Sequence, residues 1–173
     1  MVVRIREIKK QEYPLLNDFL YDAVFVPAGT PPPPKSIIDL PKLQVYIRDF
    51  GQRKDDLCFL AEEKGQPVGA VWTRVMNDYG HIENGVPSLA ISVRKEYRGG
   101  GIGTALMRTI LGELRQRGYE KVSLSVQKAN DAVRMYHRVG FMIAEEKEEE
   151  YLMVCPLKRT LPADPIGEER NGE

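Results

Sequence analysis

The 173-residue chain has little cysteine, no excess of either charge and no long hydrophobic run. Its two cysteines, Cys58 and Cys155, sit in short apolar segments at a separation that matches no zinc-binding pattern. This favours reduced, buried thiols over a disulfide or a metal site. The 25 basic and 25 acidic side chains give a formal net charge of zero, so no overall field attracts nucleic acid or an anionic membrane. We therefore expect no metal, no nucleic-acid partner and no membrane partner.

The ends of the chain give two further expectations. The first ten residues mix Arg, Glu and Lys with aliphatic residues, which predicts neither a signal peptide nor a membrane span and favours a cytoplasmic location. The segment after Leu157 is polar, aperiodic and contains Pro162 and Pro165. Because the remaining length and composition suit one globular domain, we predict a domain over residues 1–157 and a disordered tail over residues 158–173.

Apolar periodicity predicts a strand, two helices, three strands, a helix, a strand, a helix and two strands, in that order. Lys64-Gly65-Gln66 lies between two apolar runs and predicts a hairpin. The four prolines at 31–34 exclude a helix and predict a stiff, extended link. The acidic run at 145–150 is typical of a solvated turn, although it could also attract a polyamine or a basic peptide.

Residues 98–104 read Arg-Gly-Gly-Gly-Ile-Gly-Thr and form the most informative segment. A strand-like stretch ending at Val93 precedes them, and a strongly helical stretch begins near Ile102. Such a junction binds phosphate because first-turn N–H groups lack intrahelical partners and the helix dipole favours an anion. The glycines permit close approach of the ligand, and Arg98 adds a fixed positive charge.

The spacing of these glycines disfavours two common phosphate loops. A Walker loop requires a Lys and then Ser or Thr after its last glycine, but Gly103 is followed by Thr104 and Ala105. A dinucleotide fingerprint requires a third glycine three residues after the second, where this chain has Thr104 or Leu106. Nucleotide hydrolysis and dinucleotide binding are therefore poor explanations of the loop.

The remaining pattern, Arg98-x-x-Gly101-x-Gly103 after a strand, resembles the acyl-coenzyme A diphosphate loop of the GNAT superfamily of N-acyltransferases. Residues 130–141 are similar to the same family's Asn-helix-Tyr-Gly-Phe segment and follow in the family's order. The resemblance spans roughly residues 1–157 and is strongest over 88–141. It implies an α/β (α+β) GNAT fold, with a mixed, mostly antiparallel sheet of about seven strands that is splayed at the cofactor site and flanked by about four helices.

The resemblance implies that acetyl-coenzyme A is the co-substrate and that a primary amine, on a small molecule or a protein, attacks it directly. The strand before the loop would bind the pantetheine arm, with one N–H, from Ala90 or Ile91, facing the thioester oxygen. Asn130 would contact the cofactor, although its type and position also predict a helix cap. The expected cofactor-binding residues are Ala90, Ile91, Val93, Arg98, Gly99, Gly100, Gly101, Ile102, Gly103, Thr104, Asn130 and Tyr136.

Two catalytic tasks have candidate residues by the same resemblance. Tyr136 lies where the family commonly has the general acid that protonates the departing thiolate. Glu83 and His81 lie on the link into the cofactor strand, where the family often has the group that accepts the ammonium proton. A core tyrosine and solvated loop residues are the competing interpretations, and Asp78 and Tyr79 are lesser candidates for the base.

Two other functions stay open. A non-catalytic acyl-coenzyme A binding or sensing domain would have the same fold and cofactor loop. A peptide-binding module could use the proline run, but this would leave the glycine loop unexplained. We expect the acceptor pocket to be built from the first two helices, their link at residues 26–38 and the loop at residues 76–87. The last strands could form a homodimer.

Overall fold

The computed structural model of the protein describes residues 2–76 and 85–158. Within them the strands and helices follow the predicted order. The strands are β1 (Val3–Glu7), β2 (Leu57–Glu63), β3 (Gln66–Arg74), β4 (Ser88–Val93), β5 (Lys121–Gln127), β6 (Met142–Glu146) and β7 (Glu150–Pro156). The helices are α1 (Leu15–Ala23), α2 (Pro41–Gln44), α3 (Ile102–Gln116) and α4 (Ala132–Val139).

All seven strands join one sheet in the order β1-β2-β3-β4-β5-β7-β6. Every neighbouring pair is antiparallel except β4 and β5, which are parallel. These two strands share a single register pair, Ser88 with Ser123, next to which the Ser123 N–H donates to the Pro87 carbonyl at 3.0 Å. Beyond this contact they separate toward their C-terminal ends, so the predicted mixed and splayed sheet is confirmed.

The sheet has helices on both faces. On the face that we call the α3 face, Leu106, Ile110 and Leu114 of α3 are at most 1% exposed and pack on the apolar side chains of the strands. On the opposite face, the α1 face, Phe19 of α1 packs with Trp72 of β3 in a second core. Because side chains alternate along a strand, successive residues of β4 belong to opposite faces.

The hairpin between β2 and β3 is confirmed, and the acidic run was only partly predicted correctly. Lys64 and Gly65 have φ of 49° and 77°, as a two-residue turn of this hand requires. Glu145 and Glu146, however, belong to β6, and Glu150 is the first residue of β7, so these three lie outside the turn. Pairing with β7 overrides the low strand propensity of glutamate, and an edge strand tolerates exposed charge.

The apolar pattern predicts a second helix that starts at Pro41 and ends by Gly51, and the observed helix is shorter. Its α-helical part covers only Pro41–Gln44, and the chain continues as turns up to the start of β2. Two side chains of β3 bind the carbonyls of these turns: the Trp72 indole donates to Tyr46 at 3.1 Å, and the Arg74 guanidinium donates to Arg48 at 2.5 Å. Contacts from a strand distant in sequence therefore fix the conformation of this segment.

Arg74 is also half of a buried ion pair. Its Nε and Nη2 atoms donate to the two carboxylate oxygens of Asp56 at 2.9 and 2.8 Å, and neither side chain is more than 1% exposed. Asp56 also accepts the N–H groups of Gly51 and Arg53. Burial opposes the charged carboxylate, but Arg74 and these N–H groups outweigh it and hold the pKa of Asp56 below its ordinary value.

The cysteines and the helices bear on three sequence-based expectations. Cys58 and Cys155 are buried and unpaired, as predicted, and burial raises the pKa of both thiols. In the described part of the chain, no helix combines the length and hydrophobicity needed to cross a membrane. Over the same residues, no group of three or more His, Cys, Asp or Glu side chains could hold a metal ion. Residues 159–173, most of the predicted tail, lie outside the described residues.

Candidate active site

The gap between β4 and β5 exposes backbone groups of β4. The Arg94 N–H donates to the Val68 carbonyl on β3 at 2.8 Å, so the even-numbered residues of β4 direct their backbone groups toward β3. The odd-numbered residues direct their backbone groups toward β5, but β5 pairs with β4 only at the start of β4. The backbone of Ile91 and Val93 therefore faces the gap, where an extended amide chain can bind as an added strand does.

This alternation separates Ala90 from Ile91, the two residues expected to present an N–H to the thioester. Ala90 is the register partner of Trp72, and its backbone groups point into the β3–β4 ladder. Ile91 lies between two such positions, so its N–H points into the gap. The strand geometry favours Ile91 as the donor, while the Ala90 side chain lies on the α1 face.

The glycine loop follows β4 at the open end of the gap. Gly99 and Gly101 have φ of 82° and 87°, in the left-handed region, and a Cβ at either residue would meet nothing within 4 Å. The first bond of α3 runs from the Ala105 N–H to the Gly101 carbonyl at 3.0 Å, and the N-cap residue, Gly101, has no side chain to cap the helix. Within the described residues, the N–H groups of residues 99–104 find no backbone acceptor. They form a set of donors suited to an anion.

Arg98 is fixed beside these donors. Its Nε donates to the Val93 carbonyl at 2.8 Å, which ties the guanidinium to the end of β4 at the gap. The two terminal nitrogens have no partner among the residues that the structure covers. An exposed side chain held in this way presents a planar pair of donors to a phosphate oxygen.

Gly103 has a different role from the other glycines of the loop. A Cβ at Gly103 would lie 3.1 Å from the Met135 sulfur, so the glycine allows α4 to pack against the first turn of α3. This contact packs α4, the helix that carries Tyr136, against the start of α3. The sequence motif predicts the glycine but not this packing.

Tyr136 has a buried side chain. The residue is 7% exposed, and its ring packs on Phe141 with the ring centres 6.0 Å apart. No group in the described chain hydrogen-bonds the hydroxyl, a costly arrangement that a ligand would relieve. Burial raises the pKa of Tyr136 to about 12, so the phenol stays protonated and can donate at neutral pH.

Asn130 stabilises the start of α4. Its Oδ1 accepts the Ala132 N–H at 2.9 Å, which satisfies one of the free donors of the helix. The helix ends at Gly140, where φ is 112° and the Phe141 N–H donates to the Tyr136 carbonyl at 3.0 Å. The helix-capping role that the residue type predicts is therefore present, and the side-chain amide nitrogen remains for a ligand contact.

The predicted proton acceptors and part of the acceptor pocket lie outside the described residues. These are Glu83 and His81, together with the lesser candidates Asp78 and Tyr79, all within residues 77–84. The other wall of the expected pocket is described. The Tyr21 hydroxyl donates to the Pro33 carbonyl at 2.6 Å, which ties the proline run to α1.

Comparison with known proteins gives a family match. The family model described as Acetyltransferase (GNAT) family matches residues 19–141. Mycothiol acetyltransferase of Thermobispora bispora is 40% identical over 85 residues, which are 48% of this chain and 29% of that protein. N-alpha-acetyltransferase MAK3 of Arabidopsis thaliana is 33% identical over 97 residues, 56% of this chain and 50% of that protein. The chain thus spans half or less of the length of these curated relatives.

Solved structures agree on the fold. The ribosomal-protein-S18-alanine N-acetyltransferase from Escherichia coli superposes with a TM-score of 0.65 and 20% identity, over 94% of this chain and 98% of that one. PaiA N-acetyltransferase from Thermoplasma acidophilum, in complex with coenzyme A, superposes with a TM-score of 0.66 and 15% identity. The match covers 90% of this chain and 99% of that one. At these identities the likeness is one of fold.

Proposed function

Since the chain belongs to the GNAT family of acetyltransferases, we propose that it transfers an acetyl group from acetyl-coenzyme A to a primary amine by direct attack. One arrangement carries the proposal: the open backbone edge of β4 leads into a loop whose N–H donors have no acceptor among the described residues, and α4, which carries Tyr136, packs on the helix that follows this loop. In acetyl-coenzyme A an extended amide arm joins the thioester to a diphosphate, so the arm matches the β4 edge and the diphosphate matches the loop.

The binding roles follow from the geometry. Ile91 and Val93 would hold the pantetheine arm through their backbone groups in the gap. The N–H groups of residues 99–104 and the guanidinium of Arg98 would bind the diphosphate, where the dipole of α3 favours negative charge. Asn130 would add a side-chain amide contact from the start of α4.

The chemical roles divide between the strand and α4. Acetyl-coenzyme A supplies the acyl thioester. The Ile91 N–H is directed to where negative charge develops on the thioester oxygen. The Tyr136 hydroxyl, held protonated by burial, donates a hydrogen bond to the sulfur as it leaves. Glu83 or His81 remains our prediction for the group that accepts the ammonium proton.

We expect acetyl-coenzyme A to raise the melting temperature, because a ligand at about 100 times its Kd stabilises the fold by about 2.7 kcal/mol. A panel of primary amines, including a polyamine and peptides with free N-termini, should then release free thiol from acetyl-coenzyme A. Absence of a thermal shift would contradict the cofactor site itself. A shift without thiol release from any amine would instead favour the sensing domain.

Gly101→Ala is expected to weaken coenzyme A binding about tenfold. The left-handed φ of Gly101 costs an alanine about 1–2 kcal/mol, and a loop that relaxes from this strain must be rebuilt on binding. Isothermal titration with coenzyme A measures the change.

Gly112→Ala is the matched control: Gly112 is inside α3 with nothing near its Cβ position, so the alanine should stabilise the protein by about 0.5–1 kcal/mol and leave affinity unchanged. Equal affinities for the two variants would refute the role of Gly101.

A further inference from the structure

We propose that Glu150 and Ser125 bind the ammonium group of the acceptor, on the α1 face of the sheet beside the β4–β5 gap. The inference rests on the proposed function and gives it a substrate class: amines that are cationic when they bind. The Ser125 hydroxyl donates to the Glu150 carboxylate at 3.1 Å, which joins a residue of β5 to the first residue of β7.

Strand alternation puts both side chains on the α1 face. On β5, Leu124 and Val126 are buried in the core of the α3 face, so Ser125 between them points the other way. On β7, Met153 belongs to that same core, and Glu150 has the opposite parity. The direct hydrogen bond between the two side chains agrees with this assignment.

The register between β4 and β5 places Ser125 across the gap from Ala90, next to the expected position of the thioester. β4 and β5 meet at Ser88 and Ser123, so two residues further along each strand Ala90 and Ser125 stand on opposite sides of the gap. Ile91, whose N–H faces the gap, is the next residue of β4. Tyr136 belongs to the core of the α3 face, so the acceptor and the proton donor would approach the thioester from opposite faces.

The charged groups around Glu150 allow a substrate ammonium to bind its carboxylate. The Glu150 side chain is 21% exposed, and Lys147 lies 3.7 Å from its Oε1 in the same hairpin. An ion pair this exposed contributes little, so a substrate ammonium can replace Lys147. Lys128, a second cation near this hairpin, pairs with Glu146 at 2.7 Å and lies over the Tyr151 ring.

The test is a steady-state comparison of variants with the acceptor that wild type turns over best in the amine panel. Glu150→Gln removes the charge at nearly constant shape, and we expect it to raise the KM for the amine about 10- to 100-fold, the effect of losing a hydrogen bond to a charged group. The KM for acetyl-coenzyme A and the thermal shift that it gives should not change. Ser125→Ala should raise the amine KM less, because the carboxylate remains.

Glu148→Gln is the matched control, since it removes the same charge from an exposed position of the same hairpin. It should leave both KM values unchanged. If wild type acetylates an amine and Glu150→Gln behaves like Glu148→Gln, the inference is wrong and the proposed function stands. If wild type acetylates no amine, both are wrong. An equal rise in the two KM values of Glu150→Gln would indicate a structural defect and would also overturn the inference.

Discussion

Asp56→Ala is expected to lower the free energy of unfolding by about 3–5 kcal/mol, because it leaves the buried Arg74 guanidinium without its carboxylate. The loss should appear in urea unfolding as a lower midpoint with an unchanged slope. The double variant Asp56→Ala/Arg74→Met should recover much of it, since the unpaired charge is then gone.

The matched control breaks an exposed ion pair. Glu113→Ala removes the partner of Arg117, 3.0 Å away on the surface of α3, and should cost less than about 1 kcal/mol.

The pH dependence of the free energy of unfolding supplies a second check. The pKa of Asp56 is lowered in the folded protein, so its contribution is complete above the ordinary aspartate pKa and is lost as the pH falls below about 4. A difference between wild type and Asp56→Ala that stayed constant in acid would contradict this explanation.

Tyr136→Phe should lower kcat about 100-fold or more, with a smaller loss of affinity for coenzyme A. The hydroxyl has no partner in the described protein, so its removal takes away only what it does for the departing sulfur. For the same reason the melting temperature should not fall. Stopped thiol-release assays and calorimetric melts measure the two quantities on the same preparation.

Tyr119→Phe provides the opposite case. The Tyr119 hydroxyl donates to the Asp55 carboxylate near the C-terminal end of α3, far along the helix from the glycine loop. Burial and Asp55 raise the pKa of Tyr119 to about 12, so this phenol too is a donor at neutral pH. Its loss should lower stability and spare kcat. If Tyr136→Phe followed the same pattern, Tyr136 would be a core residue and not the acid.

Local signals in the sequence predicted much of the fold. The turn at Lys64 and Gly65, the apolar stripe of α3 and the glycine loop each depend on residues that are neighbours in sequence. The end of the second helix does not, because Trp72 and Arg74 of β3 fix it from across the structure. The start of the acidic turn was missed for the same reason, since pairing with β7 extends β6.

The site divides in a similar way. The loop carried its own sequence signature, but the choice of Ile91 over Ala90 required the register between β3 and β4. The contact between Ser125 and Glu150 joins residues 25 positions apart, and the acidic run conceals it in sequence. The contact of Met135 with Gly103 is likewise invisible until α4 is placed on α3.

The single register pair between β4 and β5 has a mechanical consequence. It leaves the sheet as two half-sheets, β1–β4 and β5–β7, with almost no hydrogen bonding across the seam between them. An extended amide ligand bound in the gap, as we propose, would complete the hydrogen bonds that an inserted strand makes. The affinity for acetyl-coenzyme A and the stability of the contact between the two half-sheets are then linked. A substitution that closed the gap would stabilise this contact and exclude the co-substrate.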